Sequence, residues 1–456
     1  MAASASNGAV RQESIRKVAL ASFIGTAIEW YDYFLFGTAA ALVFPRIFFP
    51  EQDPLAGALA SFAIFAVGFF FRPVGGVIFG HFGDRVGRKT MLVLSLLIMG
   101  IGTFLIGLLP TYQAIGIWAP LLLVMMRCLQ GIGVGGEWGG AILMATEHSP
   151  RGRRGFYGSW PQIGVPAGLL LGTAVLYIFR LLPDEQFFAW GWRIPFLLSI
   201  VMIGVGLYIR LAILESPAFR QVQSSGTRAR MPIVDVIKTY PRSVLIAMGL
   251  RVAENGSFYV FTVFVLDYVS RQLGLPSTTA LLGVMIAAAL ELALVPFFGA
   301  LTDSVGRKPV YMFGAVAVLV TAFPFFWLVN TEITILVWLA IVIALVGHAA
   351  MYGTQGAFFS ELFGTRVRYS GASLGYQLAS VFAGALSPII ALSLLGAFDS
   401  YVPVALYLIF MALITVVAVF FATESYQDDL SATHAAERKL FRGSEGEATE
   451  PEPRVR

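Results

Sequence analysis

Long apolar runs separated by short polar segments fill most of this 456-residue chain. A helix that crosses a bilayer needs about 20 apolar residues, and twelve runs reach roughly that length. The pattern therefore predicts an all-α protein whose helices are surrounded by lipid. The predicted spans are 18–44, 57–82, 90–109, 117–144, 156–180, 194–214, 243–269, 278–301, 309–329, 333–360, 369–396 and 402–423.

Composition supports a membrane protein and excludes several other classes. Hydrophobic residues make up 57% of the chain and charged residues only 13%, whereas a soluble protein carries about 25% charge. The single cysteine excludes an internal disulfide framework and a Cys-rich metal site. With four histidines and no phosphate-binding loop motif, we expect no metal, no cofactor, no nucleic acid and no ATP hydrolysis.

The basic residues predict how the spans are oriented. Of the 31 Lys and Arg residues, 23 fall in one alternate set of connecting segments and four in the other. Cytoplasmic segments carry the excess of Lys and Arg. Both termini and the segment 215–242 are therefore predicted to lie in the cytoplasm, in a multi-pass protein of the plasma membrane.

The two halves of the chain repeat one motif. "GHFGDRVGRK" begins at Gly80 and "GALTDSVGRK" begins at Gly299, each after the second span of its half. Two copies of a six-span unit are typical of transporters whose site lies between the repeats. The predicted organisation is a cytoplasmic segment 1–17, a six-helix bundle 18–214, a linker 215–242, a second bundle 243–423 and a disordered tail 424–456.

Two acids interrupt the first span, in the stretch "IEWYDY" that begins at Ile28. Glu29 and Asp32 are three positions apart, so a helix places them on one face. An ionised acid at the centre of a membrane helix costs about 2.5–3.5 kcal/mol and needs a partner, water or a proton. We interpret the pair as a proton-coupling site; the alternative is an acid tied permanently to a neighbouring helix.

Several motifs resemble the major facilitator superfamily, and some resemble its metabolite–proton symporter family in particular. The first repeat loop matches the superfamily's signature loop, and "RCLQGIGVGGE" from Arg127 matches its fourth-span pattern. "LESPAF" from Leu214 matches the stretch after span six. "IEWYDY", "GVGGEWGGA" and "WGWRIPF" resemble the symporter family, which includes shikimate, α-ketoglutarate, citrate and proline/betaine transporters. Ser304 departs from the pattern, since Arg85 stands there in the first copy.

The resemblance implies two six-helix bundles that rock around a central cavity. It also implies that Asp32 accepts the proton and that Arg127 tunes its affinity. Either Arg127 pairs with Asp32 and keeps it ionised, or a substrate carboxylate draws Arg127 away and Asp32 takes up a proton. The alternative for Arg127 is a fixed structural ion pair.

Other polar residues within the spans are candidates for binding the substrate. Arg251 in span seven could read a carboxylate with two hydrogen bonds, or it could simply neutralise Glu254 three positions away. The glycines that follow Gln130 indicate close helix packing. The full predicted substrate set is Arg127, Gln130, Trp138, Gln162, Arg251, Glu254, Asn255, Tyr259, Tyr352, Tyr376 and Gln377. Glu137 could be a second proton site or a structural acid, and His348 could shuttle protons or simply be a packing residue. Glu291 is an isolated acid to which the sequence assigns no partner.

Charged pairs in and beside the repeated loops predict a gate on the cytoplasmic side. An exposed ion pair contributes only about 0–1 kcal/mol, which suits contacts that must break as the protein opens. The alternative is that these basic residues only fix the orientation. The pairs are Asp84 with Arg88, Glu147 with Arg154, Asp303 with Arg307, and Glu361 with Arg368.

The sequence thus predicts a monomeric, proton-coupled symporter that imports a small organic acid or zwitterion, with the proton gradient as its energy source. Cyclic acids, dicarboxylates and betaines all fit these residues, so the substrate stays open. An uncoupled facilitator or an exporter would show the same repeats. A membrane enzyme or receptor would need a nucleophile, metal cluster or cofactor motif, and none is present.

Overall fold

The computed structural model describes the chain except for a few segments, and all statements of structure refer to the described residues. The residues that are left out are 1–14, 87, 136–141, 143–144, 147–148, 151, 213–235, 237, 239, 364–367, 425 and 427–456. Side chains are also left out at 15–22, 77, 80–92, 209–212 and 368–370. Within the described residues the chain is helical and contains no strand.

Each span predicted for the first half coincides with a helix or a run of helices. Short helices at Phe44–Phe48 and Tyr112–Ile115 lie in connecting segments. The membrane helices are α1 Ile15–Leu42, α2 Pro54–Val86, α3 Arg88–Leu108, α4 Trp118–Val134, α5 Arg154–Arg180, and α6, which comprises Asp184–Gln186, the π-helical Phe187–Gly191, Arg193–Leu197 and Ser199–Ala212.

The second half repeats this arrangement. Helix α7 comprises Pro241–Tyr259, the π-helical Val260–Phe264, Val265–Asp267 and the π-helical Tyr268–Gln272. It is followed by α8 Ser277–Val305, α9 Arg307–Val329, α10 Thr334–Glu361, α11, which comprises Arg368–Ala379, the π-helical Ser380–Ala385 and Ser387–Phe398, and α12 Val402–Phe421.

Among the described residues, eight helices are long and apolar enough to cross a membrane, namely α2, α5, α6 and α8 to α12. The described apolar parts of α3 and α4 are shorter, at Val93–Leu108 and Trp118–Val134. Helices α1 and α7 fall outside both groups, and both carry ionisable residues. Glu29 and Asp32 lie in α1, and Arg251 and Glu254 lie in α7. These ionisable residues lower the mean hydropathy of the two helices.

Helix packing follows the internal repeat. In the first half α1 packs on α5 and α6, and α2 packs on α4; in the second half α7 packs on α11 and α12, and α8 packs on α10. Each pair in one half thus has its counterpart in the other, as expected for two copies of one bundle.

The two halves meet along α5 and α8. We call the end at which the odd-numbered helices begin the inner end, because the distribution of basic residues predicts that it faces the cytoplasm; the opposite end is the outer end. At the inner end Gly155 of α5 donates its N–H to Asp303 of α8 at 2.7 Å. At the outer end Arg180 of α5 donates to Ser277 of α8 at 3.1 Å. Helix α5 also packs on α10, and α2 packs on α11.

Glycines bring α2 and α4 into close contact. A Cβ atom on Gly131 would overlap the carbonyl oxygen of Gly68, and one on Gly135 would overlap the carbonyl oxygen of Arg72. Small residues allow membrane helices to approach this closely. The packing interpretation of the glycines after Gln130 is therefore confirmed at the described positions.

The clearest boundary difference is at α6, which begins at Asp184 rather than near 194. The polar residues 184–186 and Arg193 made this stretch resemble a loop. However, Phe187 and Trp192 are fully buried, and they fix the stretch to the bundle as a helix. Most of the predicted linker 215–242 and of the tail 424–456 lies outside the described residues.

Candidate functional site

Asp32 lies at the centre of the first half without a cation beside it. Its side chain is 1% exposed, and its Oδ1 atom has no hydrogen-bond partner. Among the described residues no Lys, Arg or His nitrogen lies within 4.0 Å of this carboxyl group. Glu29, one helical turn earlier, is also buried. A proton is therefore the charge that can neutralise Asp32 where it stands.

Arg127 reaches Asp32 only through two intervening side chains. Its Nη1 donates to Gln130 Oε1 at 3.1 Å, and Gln130 Nε2 donates to Thr103 Oγ1 at 2.7 Å. The Thr103 hydroxyl in turn lies beside Asp32. Of the two predicted states, the direct ion pair between Asp32 and Arg127 is not the one in this conformation, in which Gln130 accepts the hydrogen bond from Arg127 Nη1.

Arg72 of α2 is a site residue that the sequence analysis missed. It is 2% exposed, and its Nε and Nη2 atoms have no hydrogen-bond partner. Its Cζ atom lies 4.5 Å from the ring centroids of both Tyr33 and Phe69. A charged residue within an apolar span is a functional candidate by default, and that rule could have identified Arg72.

The guanidinium groups of Arg72 and Arg127 both lie against the Tyr33 ring. Arg127 Cζ lies 4.5 Å from the Tyr33 centroid and 4.4 Å from that of Phe36, and its Nη2 atom has no hydrogen-bond partner. Cations over aromatic faces are stabilised by the ring quadrupole, but rings do not satisfy in-plane N–H donors. Arg72 and Arg127 together therefore offer unfilled donors of the kind that a carboxylate accepts.

Rings from both halves form an aromatic layer at the boundary between them. Tyr259 of α7 lies with its ring centroid 6.4 Å from Tyr33 and 5.5 Å from Phe69. Arg72 lies close enough to Tyr259 and Tyr376 to act on both electrostatically. Helices α1, α2, α4, α7 and α11 thus bring polar tips and the cations of Arg72 and Arg127 into one buried region.

The second half contributes further buried polar atoms without hydrogen-bond partners. They include Asn255 Oδ1, Tyr352 Oη and Gln377 Oε1. A buried polar group without a partner costs about 1–3 kcal/mol. Asn255 and Tyr352 lie close to residues of the first half, so their unpartnered atoms indicate a site for a ligand at this boundary. Gln162 is occupied differently, since its Nε2 donates to the Tyr352 carbonyl across the halves at 3.3 Å.

Arg251 and Glu254 form an ion pair of 2.7 Å, and both are about 1% exposed. Gln355 bridges them, accepting from Arg251 at 2.8 Å and donating to Glu254 at 3.0 Å. The Arg251 guanidinium also lies 3.3 Å from the Tyr376 ring centroid. Of the two interpretations of Arg251, mutual neutralisation with Glu254 describes this structure.

The predicted inner-end contacts are described only for the second repeat. Arg307 pairs with Asp303 at 2.9 Å and with Glu361 at 3.1 Å. The two carboxylate oxygens of Asp303 also accept the backbone N–H groups of Gly155 and Phe156, at the start of α5, at 2.7 and 2.9 Å. The predicted residues whose side chains lie outside the description are Asp84, Arg88, Trp138, Glu147 and Arg368.

A buried acid, buried arginines and an interface between repeated bundles define a solute transporter of the membrane. The profile of the Major Facilitator Superfamily matches residues 22–385. The chain belongs to this superfamily, and it is a multi-pass membrane transporter rather than an enzyme.

Relatives and solved structures agree with this assignment. The chain is 42% identical to the shikimate transporter of Escherichia coli K12 over 423 residues, which cover 92% of this chain and 97% of that one. It is 35% identical to the proline/betaine transporter of the same organism, over 88% of this chain and 82% of that one. The proton:xylose symporter XylE shares the fold, with a TM-score of 0.71 at 17% identity over 92% of this chain and 98% of that one.

Proposed function

We propose that this protein is a proton-coupled symporter, which imports a small organic acid or zwitterionic metabolite across the plasma membrane by alternating access. The observation that carries the proposal is Asp32, a fully buried acid with an unpartnered oxygen and no cation within ion-pair distance among the described residues. An acid in this position can be neutral with a proton and must find a partner without one.

The arginines of the first half indicate the class of solute. Arg72 and Arg127 hold donors that lack partners, and the Cζ atom of each lies 4.5 Å from the Tyr33 ring centroid. Guanidinium groups match the planar geometry of a carboxylate. Shikimate, proline and glycine betaine, which the names of the relatives mention, all carry a carboxylate beside an otherwise different body. A carboxylate at Arg72 and Arg127 is therefore the proposed shared feature of the substrate.

The link between Arg127 and Asp32 supplies a means of coupling. Arg127, Gln130 and Thr103 form one hydrogen-bonded chain that ends beside the acid. A substrate carboxylate that draws Arg127 towards itself would free Gln130 to turn. The contact that Thr103 makes with Asp32 would then change. Substrate and proton would thus influence each other without a direct contact between Arg127 and Asp32.

The test is uptake into proteoliposomes with an inward proton gradient, using radiolabelled shikimate, proline and glycine betaine. The wild-type protein should concentrate at least one of them, by up to about tenfold per coupled proton for each pH unit, and an uncoupler should abolish the accumulation. Asp32→Asn should equilibrate the same solute without concentrating it, while it retains exchange of labelled for unlabelled solute.

Asp267→Asn is the matched control, because Asp267 is also a buried acid of a membrane helix but is held by Arg271 at 2.9 Å. It should accumulate solute as the wild type does. Accumulation by Asp32→Asn would remove Asp32 from the coupling step. Uptake by the wild type that equilibrates and ignores the uncoupler would indicate a facilitator instead, and proton-driven extrusion would indicate an exporter.

A further inference from the structure

A histidine in α10 lies between two buried glutamates in the second half. His348 Nδ1 is 2.6 Å from Glu291 Oε1 of α8, and His348 Nε2 is 3.2 Å from Glu254 Oε1 of α7. All three residues are at most 2% exposed. Glu291 and His348, for which the sequence indicates no partner, thus join Glu254 in one cluster, which we call the Glu–His–Glu cluster.

The geometry requires one proton more than a neutral imidazole supplies. A neutral imidazole has one N–H donor and one lone pair, whereas both ring nitrogens of His348 face a carboxyl oxygen. If both glutamates were ionised, the lone pair would point at a negative oxygen. The contacts are satisfied when the extra proton lies on the ring, or when it lies on Glu291, which then donates to Nδ1.

The charges of the cluster and of Arg251 also require one extra proton. Arg251 carries one positive charge and pairs with Glu254 at 2.7 Å, so Glu291 is left as the second buried acid. Its Oε2 atom has no hydrogen-bond partner. One proton shared by His348 and Glu291 makes the group neutral, and loss of that proton leaves a net negative charge in a buried site, which is costly.

The remaining groups around the cluster are aromatic or amide side chains. The Tyr352 ring stacks on the His348 ring with their centroids 5.1 Å apart, and the centroid of the Phe258 ring lies 4.4 Å from that of His348. Gln355 connects Glu254 to the Tyr311 hydroxyl at 3.3 Å. Arg251 pairs with Glu254 and also lies over the Tyr376 ring. Besides His348, it is the one cationic side chain that the described residues place against either glutamate. Movement of Arg251 therefore decides whether Glu254 keeps its counter-ion.

We propose that Glu254, His348 and Glu291 form a second proton-binding site, which loses and regains one proton in each transport cycle. The proton leaves an N–H of the imidazolium, or the O–H of Glu291, for water on the inner side, and a proton from the outer side replaces it. No electrons are transferred. As a coupling site it rests on the proposed symport, and it adds one proton to the one on Asp32.

The first test needs no transported solute. Purified protein is taken through a pH change from about 10 to about 5, and infrared difference spectra record the carboxylic C=O stretch and the imidazole ring bands. The change begins above the range in which free histidine titrates, because the cluster resists loss of a proton that would leave a buried negative charge. Wild-type spectra should contain a signal that Glu291→Gln and His348→Gln both lose. Asp32→Asn should lose a different signal, and Asp267→Asn should match the wild type.

The second test counts protons in proteoliposomes, with the membrane potential held at zero. Against a tenfold gradient of the solute that the wild type accumulates, net flux should reverse at a pH difference of about half a unit for two protons and about one unit for one. Glu291→Gln should move the reversal from the first value to the second. Size-exclusion profiles of each variant confirm that it is folded.

The outcomes separate the two proposals. Spectra of Glu291→Gln and His348→Gln that equal the wild type would show that the cluster does not exchange its proton, and this would overturn the inference whatever the transport result. If the net solute flux of the wild type reverses at a pH difference of about one unit, only one proton is coupled, and this would also overturn the inference. If no solute is accumulated at all, the symport proposal fails, and the infrared result still decides whether the cluster binds a proton.

Discussion

Asp303→Asn should open the inner end of the protein. In the structure the two oxygens of Asp303, in α8 of the second half, accept the N–H groups of Gly155 and Phe156, which begin α5 of the first half. An asparagine has only one acceptor oxygen and no charge, so it can satisfy one of these donors at most. Arg307, now 2.9 Å from Asp303 Oδ1, would keep Glu361 as its partner.

The expected magnitude follows from these contacts. A hydrogen bond to an ionised acceptor contributes about 1.5–3 kcal/mol, and a negative charge at a helix N-terminus contributes about 0.3–1 kcal/mol. Loss of one bond and of the charge amounts to about 2–4 kcal/mol. The ratio of open to closed inner ends should then rise roughly 30-fold to 700-fold.

Cysteine labelling can measure this ratio. Ser159 of α5 is fully buried, and a Cβ atom on Gly299 of α8 would lie 2.7 Å from the Ser159 Cβ atom. In a Cys128→Ala background, Ser159→Cys is labelled in inverted vesicles, whose outer surface carries the inner end of the protein. A membrane-impermeant maleimide added to the medium should react with it slowly. Asp303→Asn should raise the reaction rate by the factor above, provided that the rate follows the open population.

Glu424→Gln is a matched control, because Glu424 makes the same kind of contact within one half. Its two oxygens accept the N–H groups of Arg307 and Lys308, at the start of α9, each at 2.9 Å. It should lower thermal stability without changing the labelling rate. Equal labelling rates in both variants would refute the view that Asp303 acts by joining the halves, and unchanged labelling in Asp303→Asn would show that the contact does not hold the inner end closed.

Two further predictions concern packing and substrate binding. Gly131→Ala should lower the free energy of unfolding by about 1–3 kcal/mol, because the new methyl group overlaps the Gly68 carbonyl. The measurement is the melting temperature, which should fall. Gly204→Ala is the control: a Cβ atom there would have nothing within 4 Å, so this variant should be neutral or slightly stabilising. Arg72→Lys and Arg127→Lys keep the charge but lose the planar stacking, so each should raise the Kd of a transported carboxylate roughly tenfold in a thermal-shift titration. Unchanged affinity would remove that arginine from the site.

The spans could be predicted because lipid imposes a strong constraint on sequence. Every predicted span coincides with a helix in the described residues, since a chain in a bilayer must satisfy its backbone hydrogen bonds within each segment. The repeat was equally visible, because the two loop motifs precede equivalent helices. The start of α6 was missed because burial of Phe187 and Trp192 outweighs the polar residues beside them.

The site could be predicted only as a set of candidates. Helical spacing places Glu29 and Asp32 on one face of one helix, but no local pattern gives the distance between Asp32 and Arg127 on different helices. Gln130 was in the predicted set, yet its position between Arg127 and Thr103 was not foreseeable. Likewise, the partners of His348 lie 57 and 94 residues away in the chain, so a lone histidine in the sequence carried no sign of its cluster.

The two halves have the same helix arrangement but differ in how their buried charged residues are paired. In the first half the buried arginines keep donors without partners, and Asp32 stands apart from them. In the second half Arg251 is already paired with Glu254, and Glu291 is balanced through His348. An anionic solute therefore has most to gain from the first half, while the second half holds its charge balance with a proton. In the proposed symport a change in one half would reach the other through the aromatic layer, because Tyr33 and Tyr259 meet between the two sets. Coupling across this boundary would then not require the solute and the proton to share a residue.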